Sequence, residues 1–322
     1  MSDKAGVLRA KPSATVVNSR FAKIKREIKR STTSYLFIAP FVVAFTLFIL
    51  IPVILAIGLS FTYYNTIQPP EFAGWDNYLY LLSQDILFLK HALPNTLIFA
   101  LIVGPGGYIA SFILAWLICQ VPDRVRIWFV LAFYAPSLTG GVVTNIIWQP
   151  LLSGDRIGYL NSFLLRLGII DDPQLWVLDP KYLMTSMIVV TMWSSMGVGF
   201  LAMVAGILNV DKQLYEAARI DGVKSRLQEI WYITIPYMKP QMLFASVMAI
   251  VGAFKAGKIG EQLSQMTPTP EYAGHTIHSH ITDYGLIRYE MGYAAALSVV
   301  LLLMIYFFNR LSFRLFGSKG DE

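Results

Sequence analysis

Charge is scarce in this 322-residue chain: only 14% of residues are Asp, Glu, Lys or Arg, against 55% hydrophobic. A soluble protein of this length needs about 25% charged residues to cover its surface. An ordinary cytosolic enzyme, a disordered chain and a disulfide scaffold are therefore excluded. A single cysteine, Cys119, allows no intramolecular disulfide. There is no G-x-x-x-x-G-K-[ST] sequence, so the chain does not hold ATP in that mode. Internal repeats, paired carboxylates and nucleophile–base pairs are also missing. What remains is a multi-span membrane protein, in keeping with a mean hydropathy of +0.54.

Four uncharged segments, 34–61, 92–119, 127–152 and 182–210, exceed the roughly 20 residues that cross the hydrocarbon core. Two shorter ones follow at 237–254, charged only at Lys239, and at 291–309, which runs on apolar to Phe316. Backbone groups in lipid must bond within the chain, so the segments predict an all-α membrane protein of six transmembrane helices. The division is a polar tail at 1–33, a first helix at 34–61 and a membrane domain at 92–316 with the remaining five. The run Lys23-Ile24-Lys25-Arg26-Glu27-Ile28-Lys29-Arg30 reads as a stop at lipid headgroups. With no aromatic residue interleaved, it does not read as a nucleic-acid site. Of the 26 Lys and Arg residues, 19 fall on the side of the two termini, which places both termini in the cytoplasm.

The spans contain no Asp, Glu or His, the groups that bind coupling ions in many transporters. Energy for uphill transport must then come from another subunit. Gly104-Pro105-Gly106-Gly107 is read as an interruption of the second span; Pro136, Gly140 and Gly141 loosen the third, and Gly197 and Gly199 lie in the fourth. Such residues serve either close helix packing or a hinge.

The cytoplasmic loop 211–236 is the most informative stretch. Asp211 is a natural N-cap for a short helix over 212–220, and Gly222 a natural C′ residue. A second short amphipathic helix over 225–233 leads to Pro236. A solvated loop has no need of such order, whereas a docking surface does.

Glu216-Ala217-Ala218, then Asp221-Gly222, then Ile233-Thr234-Ile235-Pro236 resembles the "EAA" signature of binding-protein-dependent ABC importer permeases. It is most similar to the sugar-type branch that includes the maltose and glycerol-3-phosphate permeases. Pro236 stands twenty residues after Glu216, one more than the family's commonest spacing. Gly158-Tyr159-Leu160-Asn161 and Gly292-Tyr293-Ala294-Ala295-Ala296 are similar to further family segments; Met266-Thr267-Pro268-Thr269-Pro270 replaces the usual Gly-Gly-Pro loop. The resemblance implies a type I ABC importer permease fold in a bacterial or archaeal cytoplasmic membrane. It implies a second permease, usually non-identical, two ATP-binding subunits that use ATP and Mg, and an extracytoplasmic solute-binding protein. The short helix around Glu216–Gly222 would fit a cleft on one ATPase subunit, and this chain would hold no cofactor and be no enzyme. A self-contained channel or facilitator is the competing class, but it has no use for an ATPase dock.

Other signals are weaker. Asn145, Trp148, Trp193, Ser194 and Lys255 are candidates for the substrate pathway, the indoles for stacking on a sugar ring and Lys255 for an anionic group; Tyr134, Tyr289 and Trp176 are further stacking candidates. Helix packing and snorkelling explain the same residues. His275, His278 and His280, with Asp283 near, have the donors of a zinc site. A surface role or a contact to the binding protein accounts for them better.

Overall fold

The structure is a computed structural model that describes residues 32–139 and 141–316. The tail expected over 1–33, with its basic run, and Gly140 lie outside the described residues, Thr32 and Thr33 apart. The chain divides into two compact units, Met1–Ala56 and Ile57–Glu322.

In chain order, α1 (Thr32–Leu59) is followed by a two-residue antiparallel pair, β1 (Thr62–Tyr63) and β2 (Glu71–Phe72), in which Thr62 faces Phe72. Next come α2 (Asp76–Ser83) and α3 (Phe88–Cys119). The third apolar segment forms two helices, α4 (Asp123–Leu138) and α5 (Gly141–Leu151). A surface helix, α6 (Tyr159–Arg166), leads to α7 (Pro180–Trp193) and α8 (Val198–Leu208). Then come α9 (Lys212–Ile220), α10 (226–237), α11 (Lys239–Ser264), α12 (Ile277–Thr282) and α13 (Met291–Phe316). Among the described residues, four helices are long and apolar enough to cross a membrane alone: α1, α3, α11 and α13. The count reaches six if the bent pairs α4–α5 and α7–α8 are one span each.

The bend between α7 and α8 is 44°. Its cause is local: the Ser194 and Ser195 hydroxyls bond back to the carbonyls of Thr191 and Met192, at 3.1 and 2.7 Å, in competition with the helical ladder. Similarly, α4 ends where the Ser137 and Thr139 hydroxyls bond to the carbonyls of Tyr134 and Pro136.

The reading of Gly104-Pro105-Gly106-Gly107 as an interruption is corrected: α3 runs through Pro105 unbroken. These glycines serve packing instead. A Cβ on Gly107 would lie 3.0 Å from the Ser195 hydroxyl, and one on Gly106 would lie 3.2 Å from Met192. Across the bundle, a Cβ on Gly199 would stand 3.2 Å from the Ala245 Cα, so α8 and α11 are in near backbone contact. Helices α3, α8 and α11 form the centre, and α13 packs on α11. One core cluster holds Phe99, Leu183, Met187, Phe254 and Leu263, and another holds Ala115, Phe200, Met203, Met238 and Ala245.

Candidate functional site

Two regions carry chemistry, and the first is the loop between α8 and α11. Asp211 caps α9, its carboxylate accepting from the Gln213 amide at 2.9 Å. The helix ends in a double closure: the Gly222 amide donates to the Arg219 carbonyl (3.3 Å) and the Val223 amide to the Ala218 carbonyl (2.9 Å). That is a Schellman motif, and Gly222 supplies the left-handed residue it needs, with φ +96°. Ser225 and Gln228 form a capping box at the start of α10. Two ties hold α9 to α10. The buried Glu229 takes Arg219 at 3.2 Å and Arg226 at 3.0 Å, and the Tyr215 hydroxyl meets Thr234 at 2.9 Å. These contacts occupy the face of Tyr215 and Arg219 and leave Glu216, Ala217, Asp221, Gly222 and Pro236 exposed, with Ala218 half-buried. Ile220, 87% exposed, shares that open face.

Within α10, Ile230–Thr234 is a π turn, closed by the Ile235 amide on the Ile230 carbonyl. A π turn holds one residue more than an α turn. It lies between Glu216 and Pro236, where the spacing has its additional residue.

The second region is a cavity of about 290 Å³ between α3, α8 and α11. Tyr108, Ser111, Ser137, Thr191, Ser194 and Ser195 supply its hydroxyl groups, Gly107, Ala245, Met248 and Gly252 part of the rest, and no charged side chain lines it. Of the pathway candidates named from the sequence, Ser194 lines this space while Asn145, Trp148 and Trp193 do not, and of the glycines read as packing or hinge positions Gly107, Gly197 and Gly199 line it. Trp148 and Trp193 form an edge-to-face pair 5.6 Å apart, and Trp148 Nε1 and Asn145 Oδ1 are buried without a hydrogen-bond partner. Lys255 is exposed and outside the lining, and the helical path continues past it to Ser264. Ser111 and Ser137 were missed from the sequence. The small-residue row Gly104, Gly107, Ser111, Ala115 at helical spacing was the available signal for Ser111.

Two readings from the loops between the helices are refined. The Trp176 indole is tied by its edge into the fold, donating to Asn161 Oδ1 at 2.9 Å. Asn161, fully buried, also donates to the carbonyls of Ser153 and Gln174 and accepts from the Gln174 amide, so the Gly158–Asn161 segment is a structural knot. Two of the three histidines are not surface groups, since His275 and His280 are 3% and 0% exposed, and His278 is half-buried. His280 Nε2 lies 2.8 Å from Asp85, His275 Nε2 lies 3.0 Å from His280 Nδ1, and the Tyr293 hydroxyl donates to Asp85 at 2.6 Å. Burial pushes the Asp85 carboxyl up, but hydrogen bonds from His280, Tyr293 and the Phe88 amide outweigh it and hold the pKa at about 2. Burial, reinforced by His280, depresses His275 to about 4. No group of three or more His, Cys, Asp or Glu suited to a metal occurs among the described residues.

A capped, solvent-facing helix pair beside a bundle with a polar, uncharged cavity has the layout of an importer's membrane subunit. Residues 24–316 match the family described as binding-protein-dependent transport system inner membrane component, and the chain belongs to that family. It is a permease subunit and a multi-pass membrane protein. It is 33% identical over 296 residues, 91% of each chain, to the arabinooligosaccharides transport system permease protein AraP of Bacillus subtilis. It is 29% identical over 282 residues to the lactose transport system permease protein LacF of Rhizobium radiobacter, covering 87% of this chain and 92% of that one. Among solved structures it is similar to a chain of a bacterial ABC transporter involved in the import of the acidic polysaccharide alginate. The TM-score is 0.73 and the identity 26%, with 91% of this chain and 99% of that one covered.

Proposed function

We propose that this permease imports a sugar or oligosaccharide, delivered by an extracytoplasmic solute-binding protein, across a bacterial or archaeal cytoplasmic membrane. It crosses six times with both termini inside, α4–α5 and α7–α8 each counting as one span. It pairs with a second, non-identical permease, and two separate ATPase subunits beneath the pair bind ATP and Mg and do the hydrolysis. Relatives named for arabinooligosaccharides and lactose support the substrate class. So does the cavity, whose hydroxyl groups and lack of charge suit a neutral polyhydroxyl solute.

The observation that carries the coupling reading is the open face of α9. Arg219 and Tyr215 hold the helix from behind, and Glu216, Ala217 and Ile220 face outward. Closure of the ATPase dimer on that face pulls the α9–α10 unit, and Pro236 at its far end passes the motion into α11. In the pathway, Trp148 and Trp193 stack on the sugar ring and Asn145 and Ser194 bond its hydroxyls. Trp148→Ala then lowers uptake at least roughly tenfold, the loss of one aromatic stacking contact and its hydrogen bond.

The test is reconstitution in liposomes with and without the partner permease, ATPase subunits and binding protein. Uptake of a sugar that the binding protein retains, only in the complete set and only with ATP, is expected. Robust uptake by this chain alone, or exclusive binding of an amino acid, peptide or metal by the binding protein, overturns the proposal.

A further inference from the structure

A second pocket, of about 140 Å³, opens beside the β1–β2 turn and is lined by Tyr63, Tyr64, Asn77, Tyr80, Glu290 and Tyr293. It is built rather than incidental. Asn77 Nδ2 donates to the carbonyls of Ser60 and Thr62 at 2.9 and 3.0 Å, and the Gly292 amide donates to the Tyr64 carbonyl at 3.2 Å. The Thr62 carbonyl fills the space a Cβ on Gly292 would take. Tyr80 packs edge-on against Tyr293, and Tyr293 is anchored from behind by Asp85. Among the described residues, Glu290 has no Lys or Arg within salt-bridge distance; the nearby Arg288 feels its charge but is engaged with Asp283 at 2.7 Å and lies over the Tyr284 ring. Four phenol groups, one unpaired carboxylate at the rim and a second carboxylate behind the wall make a cation-binding cage. The space is well below the roughly 300 Å³ at which small-molecule sites begin, so it admits an ammonium or guanidinium head and not a sugar chain.

We propose that this cage seats a lysine or arginine side chain of the solute-binding protein, so that Glu290 and the tyrosines form part of its docking surface. The inference rests on the importer reading above. In that topology the cage lies on the membrane face opposite α9, where the binding protein arrives.

The complete complex, with its partner permease and ATPase subunits in nanodiscs, is titrated with ligand-loaded binding protein while ATP hydrolysis is followed. Glu290→Gln should raise the half-saturating concentration roughly tenfold, as loss of a charge-assisted cation–π contact does. Tyr63→Phe should have a smaller effect in the same direction. Methylammonium at high millimolar concentration should compete in the wild type and not in Glu290→Gln. A photo-reactive benzoylphenylalanine at Tyr63 should cross-link to a binding-protein peptide containing Lys or Arg. Unchanged half-saturation in both variants, or no cross-link to the binding protein, overturns the cage while the importer reading stands. A wild-type complex that ignores the binding protein overturns both.

Discussion

Gly222 ends α9 with a φ of +96° and has nothing within 4 Å of where a Cβ would sit, so its requirement is conformational and not steric. Gly222→Val should strain the turn by on the order of 1 kcal/mol and misplace α9 without unfolding the bundle. The expected result is a normally inserted permease with uptake lost and ATPase subunits loosened; normal uptake and ATPase content on the affinity-purified complex would remove α9 from coupling. Two buried groups contribute to the acid response with opposite-sign burial effects on an acid and a base, and both end below their free values. His275 is held near 4 against a free value of 6.5, and Asp85 near 2 against 3.8. Each binds fewer protons folded than unfolded, so stability falls as pH falls. The His275 contribution is lost between pH 6.5 and 4, and that of Asp85 between 3.8 and 2. The melting temperature of the solubilised protein should therefore drop from pH 6.5 to 4, and His275→Phe should flatten that slope while lowering the plateau. A flat wild-type profile would contradict it.

At the scale of elements, the hydrophobic runs of the third and fourth spans were legible, and Pro136, Gly140, Gly141 and Gly197 marked where they bend, but only as a choice between packing and hinge. Apolar length is a property of composition, whereas the break at Ser194–Ser195 depends on hydroxyls choosing local carbonyls over solvent or a neighbour. Conversely, Pro105 suggested a break that α3 does not make, because close neighbours at Gly106 and Gly107 hold the helix in place. The contact of α8 with α11 makes its own prediction. Gly199→Leu places a side chain against the Ala245 backbone and should cost about 1–3 kcal/mol, as overpacking does. A thermal-shift measurement checks it, and an unchanged melting temperature would mean that the two helices separate freely there.

For the whole molecule, the topology can be tested at two exposed positions on opposite sides of the proposed membrane. Ile157 and Ile220 are 88% and 87% exposed. With Cys119 replaced by Ser, Ile157→Cys should react with an impermeant maleimide from outside the cell and Ile220→Cys only after the membrane is opened. Labelling of Ile157→Cys solely from the cytoplasmic side would reverse the orientation.

The sequence by itself determined what depends on neighbours along the chain. Apolar length marked the spans, the basic residues set the expected orientation, and Asp211 with Gly222 bounded α9, because caps and left-handed turns are closed by groups within a few residues. Only the tertiary structure decided what depends on residues far apart. His280 finds Asp85 across 195 positions, which turned expected surface histidines into a buried network. Ser194 becomes part of a cavity only because α3 brings Ser111 opposite it, and the unpaired carboxylate of Glu290 meets its tyrosines only where β1, α2 and α13 converge. Helical periodicity says which face a residue occupies, and packing alone says what that face meets.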